Sequence, residues 1–125
     1  MTGKTVLYVE HNEFNRKIVR DLLAATTSYR LIEASDGEMG VATALRETPD
    51  LILIDIQMPK LSGLEATRML RADSKTAHIP IIVITSFALS GDDKKAMDAG
   101  ASAYIAKPYS PRDLLAQIRK LLPET

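Results

Sequence analysis

Short apolar runs alternate with longer segments of mixed polarity along the whole chain. Short apolar runs bounded by turn residues predict β-strands. The predicted strands are Thr5–Val9, Tyr29–Ala34, Asp50–Asp55, Ile79–Thr85 and Ser102–Ala106. The third and fourth are apolar almost throughout, as expected for strands of a parallel sheet that is covered on both faces.

The segments between these strands predict helices, because their apolar residues recur at helical spacing. In the first segment these residues are Phe14, Ile18, Val19, Leu22 and Leu23. The predicted helices are Asn12–Thr26, Asp36–Thr48, Gly63–Asp73, Ser90–Gly100 and Ser110–Leu122. Asp36 and Ser110 are typical N-caps, and Pro111 suits the first helical position. Gly100 is a typical helix end.

Five strands that alternate with five helices over short connections indicate one α/β domain, residues 1–125. Parallel strands joined by right-handed helical crossovers form an open sheet with helices on both faces. We therefore predict a doubly wound (βα)5 fold of the flavodoxin-like type, with strand order 2-1-3-4-5.

The composition removes several classes of protein. With 46% hydrophobic and 26% charged residues, the chain is typical of globular proteins rather than disordered ones. Lys plus Arg and Asp plus Glu both number 16, so the net charge of zero indicates no nucleic-acid partner. No apolar run approaches the roughly 20 residues of a membrane span, and no signal peptide precedes the first strand. Without cysteine there are no disulfides or thiolate metal sites, and we expect a cytoplasmic protein.

Residues with useful chemistry collect at the predicted carboxyl ends of the strands, where a doubly wound sheet binds its ligands. They are Glu10 and His11 after the first strand, Asp55 at the end of the third, Thr85 and Ser86 at the end of the fourth, and Lys107 after the fifth. Each of them alone is more often a turn, cap or solvated residue. Because the first, third and fourth strands are neighbours in the predicted order, the residues converge on one edge of the sheet.

This set of residues suits phosphoryl transfer to a carboxylate. Asp55 would attack the phosphorus atom and form an acyl phosphate. Lys107 would supply a positive charge and Thr85 a hydroxyl donor to the phosphoryl oxygens, since this reaction depends largely on positioning and charge neutralisation. Glu10, Asp55 and the backbone carbonyl of Gln57 would supply oxygen ligands to a hard divalent cation.

Four segments carry a resemblance to a known family: LYVEHNEFNR (7–16), DLILIDIQMPKLSGLEATRML (50–70), IPIIVITSFA (79–88) and AYIAKPYSPRDLL (103–115). Together they resemble the receiver domain of two-component response regulators over nearly the whole chain. The resemblance implies that Asp55 is the phosphoacceptor and that Thr85 and Lys107 contact the phosphoryl group. It implies that Glu10 belongs to a Mg²⁺ cluster. It also implies that Tyr104 swings inward when Thr85 is drawn toward the phosphate; a half-buried strand aromatic is the alternative.

The resemblance implies a stand-alone phosphoacceptor signalling domain rather than an enzyme, without an output domain. The implied phosphodonor is a sensor histidine kinase or a histidine phosphotransfer protein. A downstream protein target would bind the face of the fourth helix, fifth strand and fifth helix, and a homodimer is a further expected assembly. Apolar residues that would line partner surfaces, unless they are ordinary loop residues, are Met58, Pro59, Phe87, Leu89 and Tyr109.

His11 departs from the family pattern, in which a second acidic residue follows Glu10 and ligates the metal. Two unit charges about 4 Å apart attract by about 4 kcal/mol at an effective dielectric constant of about 20. If the loss of the second carboxylate weakens binding by a net amount of about 2.8 kcal/mol, the affinity for the metal ion falls about a hundredfold.

Four alternatives stay open for His11. In the first, His11 weakens Mg²⁺ binding, because imidazole is a poor ligand for that ion. In the second, protonated His11 replaces the cation. In the third, the site binds Mn²⁺ or Zn²⁺, which imidazole suits better. Finally, the ring turns away from the site with little effect. The spacing of His78 from His11 indicates no joint metal site.

Other functions compete with a phosphoaccepting receiver. A pseudo-receiver that binds proteins without taking phosphate is favoured by His11 and opposed by Asp55, Thr85 and Lys107. A flavodoxin-like flavin carrier would need a Gly/Ser/Thr-rich phosphate loop after the first strand, where EHNEFN is acidic and bulky. A haloacid-type hydrolase would need an Asp-x-Asp pair there.

Overall fold

The computed structural model describes residues 3–85 and 91–124. Within these ranges five strands and five helices alternate. The strands are β1 (Thr5–Val9), β2 (Arg30–Ala34), β3 (Leu51–Asp55), β4 (Ile81–Thr85) and β5 (Ala103–Ala106). The helices are α1 (Glu13–Thr26), α2 (Gly37–Glu47), α3 (Gly63–Ala72), α4 (Asp92–Ala99) and α5 (Pro111–Leu121).

The strands form one parallel sheet in the order β2–β1–β3–β4–β5. Val9 pairs with Ala34 on one side and with Ile54 on the other, and Asp55 pairs with Ile84. The predicted α/β class and strand order are therefore confirmed. Because every strand runs in the same direction, the carboxyl ends of all five meet along one edge of the sheet.

Four of the strands begin one or two residues later than predicted. β4 begins at Ile81 rather than Ile79, because Pro80 has no N–H to donate to the ladder. β2, β3 and β5 each begin one residue late, and the buried Tyr29 lies just before β2. Tyr29 and Ile79 are buried although they precede their strands, so burial alone overestimated the lengths of β2 and β4.

Successive side chains of each strand point to opposite faces of the sheet and enter two separate cores. Val6 and Tyr8 pack in a core with residues of α1 and α5. Leu7 and Val9 pack in the other core, with residues of α2, α3 and α4. The sheet is therefore covered on both faces, as a doubly wound fold requires.

Most helices begin with ordinary capping chemistry. The side chains of Asn12, Asp36 and Ser110 each accept a hydrogen bond from the backbone N–H three residues further on. Ser62 forms a capping box with Glu65 at the start of α3. None of the helices in residues 3–85 and 91–124 is long and apolar enough to cross a bilayer.

Gly63 allows α3 to begin directly against the end of β3. A Cβ atom on this residue would lie 2.1 Å from the carbonyl oxygen of Asp55, a separation that no side chain tolerates. The Gly63 N–H donates to the carbonyl of Ile56 at 2.9 Å. This close approach fixes the backbone that carries the Asp55 side chain.

Arg71, near the end of α3, joins several segments of the chain. Its Nε donates to the carbonyl of Gly100 at 2.7 Å. One terminal nitrogen donates to the carbonyls of Ala77 and Ile79 at 3.1 and 2.5 Å, and the other donates to Ser102 Oγ at 3.1 Å. Burial lowers the pKa of Arg71, and these hydrogen bonds hold the guanidinium in place. Arg71 thus ties α3 to the approach to β4 and to the connection between α4 and β5.

Replacing Arg71 with alanine should lower the free energy of unfolding by about 2–3 kcal/mol, because several backbone carbonyls lose a charged donor. Urea denaturation measures this change. Arg68→Ala is a matched control on the exposed side of the same helix and should change the free energy by less than about 0.5 kcal/mol. Equal losses in the two variants would contradict the assigned role of Arg71.

Candidate functional site

Asp55 is the last residue of β3, and its side chain is buried at the carboxyl edge of the sheet. Its Oδ2 accepts a hydrogen bond from Lys107 Nζ at 2.6 Å. Its Oδ1 accepts one from the backbone N–H of Gln57 at 2.8 Å. Each carboxylate oxygen therefore has its own donor, and the orientation of the carboxylate is fixed.

Glu10 follows β1 directly and is also buried. Its Oε2 accepts a hydrogen bond from the backbone N–H of Asn12 at 3.0 Å. Its Oε1 accepts one from the Tyr8 hydroxyl at 3.3 Å and lies 3.6 Å from Lys107 Nζ. Since Lys107 also contacts Asp55, one ammonium group lies between two buried carboxylates. The structure brings these three predicted residues together.

The pKa values of this cluster reflect competition between burial and charge. Burial raises the pKa of Glu10, the Asn12 N–H opposes this, and the nearby Asp55 carboxylate adds to it. Burial lowers the pKa of Lys107, but the hydrogen bond and charge of Asp55, helped by Glu10, outweigh it and the pKa is raised. With both carboxylates ionised the three groups carry a net charge of about −1, and a cation is favoured there.

Two tyrosines lie beside Glu10, and sequence reasoning did not connect them with the site. Tyr8 is fully buried, and burial raises the pKa of its phenol so that it remains a hydrogen-bond donor. Its hydroxyl interacts with that of Tyr109, which follows Lys107 and Pro108 in the loop after β5. The signal in the sequence was the period of two in β1, which places Tyr8 and Glu10 on the same face.

His11 is exposed and does not face the two carboxylates. Its Nδ1 lies 3.3 Å from the carbonyl oxygen of Ser35, in the connection between β2 and α2. Arg16 holds the backbone at this point, donating to the carbonyls of Glu10 and His11 at 2.7 and 3.0 Å. The ring thus contacts the connection between β2 and α2, and the effect of His11 on metal binding stays a prediction.

Thr85 ends β4 and is fully buried. Its Oγ1 donates to Asp92 Oδ2, in the first turn of α4, at 3.1 Å. Its backbone carbonyl accepts a hydrogen bond from the Lys107 N–H at 2.7 Å, which links β4 to the loop after β5. Asp92 was not predicted as a site residue. The neighbouring Ser86 lies outside the described residues.

Tyr104, on β5, has 38% of its surface exposed. Its side chain lines a surface depression of about 540 Å³ together with residues of α5, among them Asp113 and Gln117. The ring therefore lies on the face of α4, β5 and α5 that was predicted to bind a target. Its predicted inward movement stays a prediction.

The apolar residues predicted to line partner surfaces have different environments. Met58 is partly buried against the core with α2, α3 and α4, and Pro59 is exposed. Phe87 and Leu89 lie outside the described residues. Tyr109 lines an apolar groove of about 540 Å³ that opens beside Lys107. The groove is also lined by Asn15, Ile18, Leu22, Pro108 and Pro111.

The family model of the response regulator receiver domain matches residues 6–119. The chain belongs to the response regulator receiver family. It is similar to the polar-differentiation response regulators DivK of Brucella anthropi and Brucella ovis, each 42% identical to this receiver over 119 residues. Those matches cover 95% of this chain and 96% of each relative.

Solved receiver structures share its fold. The receiver domain of the sensor histidine kinase PA1611 from Pseudomonas aeruginosa PAO1 has a TM-score of 0.88 at 34% identity, covering 96% of this chain and 98% of that one. The chemotaxis response regulator CheY4 of Vibrio cholerae has a TM-score of 0.89 at 27% identity, covering 97% and 100%. This chain is thus a receiver signalling domain of two-component systems and not a catalytic enzyme.

The Pseudomonas receiver holds a magnesium ion in its active-site cleft. In the receiver described here, Glu10 and Asp55 suit such an ion, because Mg²⁺ is usually held by one or two carboxylates together with waters and phosphate oxygens. His11 does not add to them. In residues 3–85 and 91–124, no three His, Cys, Asp or Glu side chains form a group that could hold a metal ion.

Replacing Glu10 with glutamine should stabilise the receiver by about 1 kcal/mol at neutral pH, because a buried carboxylate becomes a neutral amide. The folded state raises the pKa of Glu10, so it binds the proton more tightly than the unfolded state and stability falls as pH rises through that interval. The stability difference between the variant and the wild type should therefore shrink as the pH falls toward the ordinary glutamate value of 4.5. Urea denaturation at several pH values measures it.

Glu38→Gln is the control, since Glu38 is exposed in the first turn of α2. It should change stability by less than about 0.5 kcal/mol at neutral pH. A Glu10→Gln variant that is less stable than the wild type at neutral pH would show that contact with Lys107 outweighs the cost of burial.

Proposed function

We propose that this receiver accepts a phosphoryl group on Asp55 from a phosphohistidine and thereby changes its affinity for partner proteins. The observation that carries the proposal is the buried Asp55 carboxylate, oriented by Lys107 and the Gln57 N–H beside a second carboxylate, Glu10. Membership of the receiver family supports it.

In the proposed reaction an oxygen of Asp55 forms a bond to phosphorus, and the bond from phosphorus to the imidazole nitrogen of the donor breaks. The electron pair returns to that nitrogen, and the product is an acyl phosphate on Asp55. The Gln57 N–H and Lys107 hold the carboxylate in position before the attack. Lys107, released from Glu10 and Asp55, then neutralises charge on the phosphoryl oxygens.

A magnesium ion, held through Glu10, Asp55 and the backbone carbonyl of Gln57, would neutralise further charge on the phosphoryl oxygens. The ligand set is proposed from the two carboxylates described above and from the magnesium in the Pseudomonas receiver. Burial of both carboxylates strengthens their attraction for a cation, because little water screens them.

The proposed response to phosphorylation involves Thr85 and Tyr104. The Thr85 hydroxyl would move to a phosphoryl oxygen, and Tyr104 would turn into the space that opens behind it. Tyr104 is exposed in the unphosphorylated structure, so this movement would change the surface of α4, β5 and α5. We propose that a protein target binds this face.

We propose a histidine kinase or a histidine phosphotransfer protein as the donor. A donor protein has to reach Asp55 past Lys107, and the apolar groove beside Lys107 gives a protein surface to bind there. Exposure of Ile18 within this groove supports a protein donor in addition to small phosphodonors. The cytoplasmic location and the homodimer expected from the sequence stay predictions.

Incubation with acetyl phosphate and a divalent cation should add the mass of one phosphoryl group to the receiver. Asp55→Asn should not gain this mass, because an amide does not attack the phosphorus atom. Lys107→Ala should gain it much more slowly, since the phosphoryl oxygens lose a cation. Intact-mass spectrometry measures each product.

Asp98→Asn, a change of an exposed aspartate on α4, is the control and should be phosphorylated like the wild type. The competing function is a pseudo-receiver that only binds proteins, and the outward position of His11 favours it. Absence of any Asp55-dependent mass gain with magnesium, manganese or zinc would establish the pseudo-receiver instead.

We further propose that His11 weakens magnesium binding relative to a receiver with an acidic residue at this position. The support is geometric, since the imidazole lies against the Ser35 carbonyl while two carboxylates remain at the site. The ion would have two side-chain ligands and one carbonyl ligand instead of three side-chain ligands and one carbonyl ligand. The ion would then keep more of its water and bind less tightly.

His11→Asp should increase the affinity for magnesium by about tenfold to a hundredfold, because a carboxylate adds an oxygen ligand and a negative charge. Isothermal titration calorimetry in the absence of phosphodonor measures it. His78→Asp is the matched control: the same substitution at an exposed residue before β4 should leave the affinity unchanged. A wild type that binds magnesium as tightly as His11→Asp would refute the proposed weakening.

A further inference from the structure

We propose that Asp92 is a positioning residue that holds the Thr85 hydroxyl in the unphosphorylated receiver. It thereby sets how readily Thr85 moves toward a phosphoryl group on Asp55. The inference rests on the proposed function of Thr85 and adds a regulator that neither the sequence pattern nor the family resemblance supplied. Three observations carry it: the hydrogen bond between the two side chains, the burial of Thr85 and the start of α4.

The contact joins the end of β4 to the first residue of α4. Thr85 Oγ1 donates to Asp92 Oδ2 at 3.1 Å. Thr85 is fully buried, so little water screens this contact. The acceptor is a carboxylate, and hydrogen bonds to charged groups are stronger than those between neutral groups.

The start of α4 shows that Asp92 does not serve its own helix as a cap. The N-cap is Gly91, in the left-handed region with φ of 84°, and it makes no side-chain capping hydrogen bond. The N-cap residues Asn12, Asp36, Ser62 and Ser110 all accept a hydrogen bond from their own helices. At α4 the Asp92 carboxylate reaches back to Thr85 instead.

A hydroxyl group has a single proton to donate. While Thr85 donates to Asp92, it cannot donate to a phosphoryl oxygen on Asp55. Phosphorylation must therefore exchange one acceptor for the other, and the strength of the contact with Asp92 is a cost of switching. Once released, the Asp92 carboxylate lies at the first turn of a helix that has no side-chain cap, where a negative charge is stabilising. The state of Thr85 is thereby linked to the start of α4.

The first test uses the receiver without phosphodonor or metal. NMR of threonine methyl groups and side-chain couplings gives the χ1 rotamer populations of Thr85. We expect one dominant rotamer in the wild type and rotamer averaging in Asp92→Ala. Asp93→Ala removes the same charge from the same helical turn and should leave Thr85 in one rotamer, because Asp93 is not its partner. An unchanged Thr85 rotamer in Asp92→Ala overturns the proposal.

The second test measures the affinity for beryllofluoride, a phosphoryl mimic, at saturating magnesium. Asp92→Ala should bind it about tenfold more tightly than the wild type, since the competing acceptor is gone. Asp92→Asn, which keeps an acceptor oxygen without the charge, should lie between them. Asp93→Ala should bind like the wild type.

A double-mutant cycle separates this role from a general effect on folding. In a Thr85→Ala background the Asp92→Ala substitution should give no gain in affinity, because the proposed effect acts through the Thr85 hydroxyl. A gain that persists without Thr85, or one that Asp93→Ala equals, overturns the proposal. If the wild type binds no beryllofluoride, the proposed function fails, and the rotamer measurement still decides the role of Asp92.

Discussion

The arrangement of the whole site depends on one interaction, the ammonium group of Lys107 held between the buried carboxylates of Asp55 and Glu10. Two carboxylates this well buried would repel each other without a cation. Lys107 offsets part of their charge and leaves a net negative site, which favours a further cation. The same residue follows the edge strand β5, so the ion cluster joins three different strands at the carboxyl edge of the sheet.

The fold and this ion cluster could be predicted from the sequence, because both follow from a strong local pattern. Apolar strands that alternate with amphipathic helices allow few architectures, and the parallel sheet brings Glu10, Asp55 and Lys107 to one edge. The first residues of the strands were predicted less well. Tyr29 is buried and Pro80 partly buried in the manner of strand residues, but both lie just before the first residue of their strands.

The roles of some residues could not be predicted, because they depend on where the side chain points. A single sequence does not show this direction. His11 follows a site residue, yet its ring lies against the carbonyl of Ser35, in the connection after β2. Tyr8 looked like one apolar residue of β1, and only its hydroxyl contacts Glu10. Arg71 was not singled out from the sequence, and only the structure shows that its guanidinium contacts the carbonyls of Ala77, Ile79 and Gly100.

The two ends of α4 are held in different ways, so a change at Thr85 would act on only one of them. Its last turn is closed by Gly100, whose carbonyl is bound by Arg71. Its first residue is joined to Thr85 by a hydrogen bond, which the phosphoryl group would replace in the proposed response. The eight residues of α4 span about 12 Å. A displacement that begins at Asp92 would therefore pivot about Gly100. The first turn of the helix would move most, and Met97, close to Gly100, would move least.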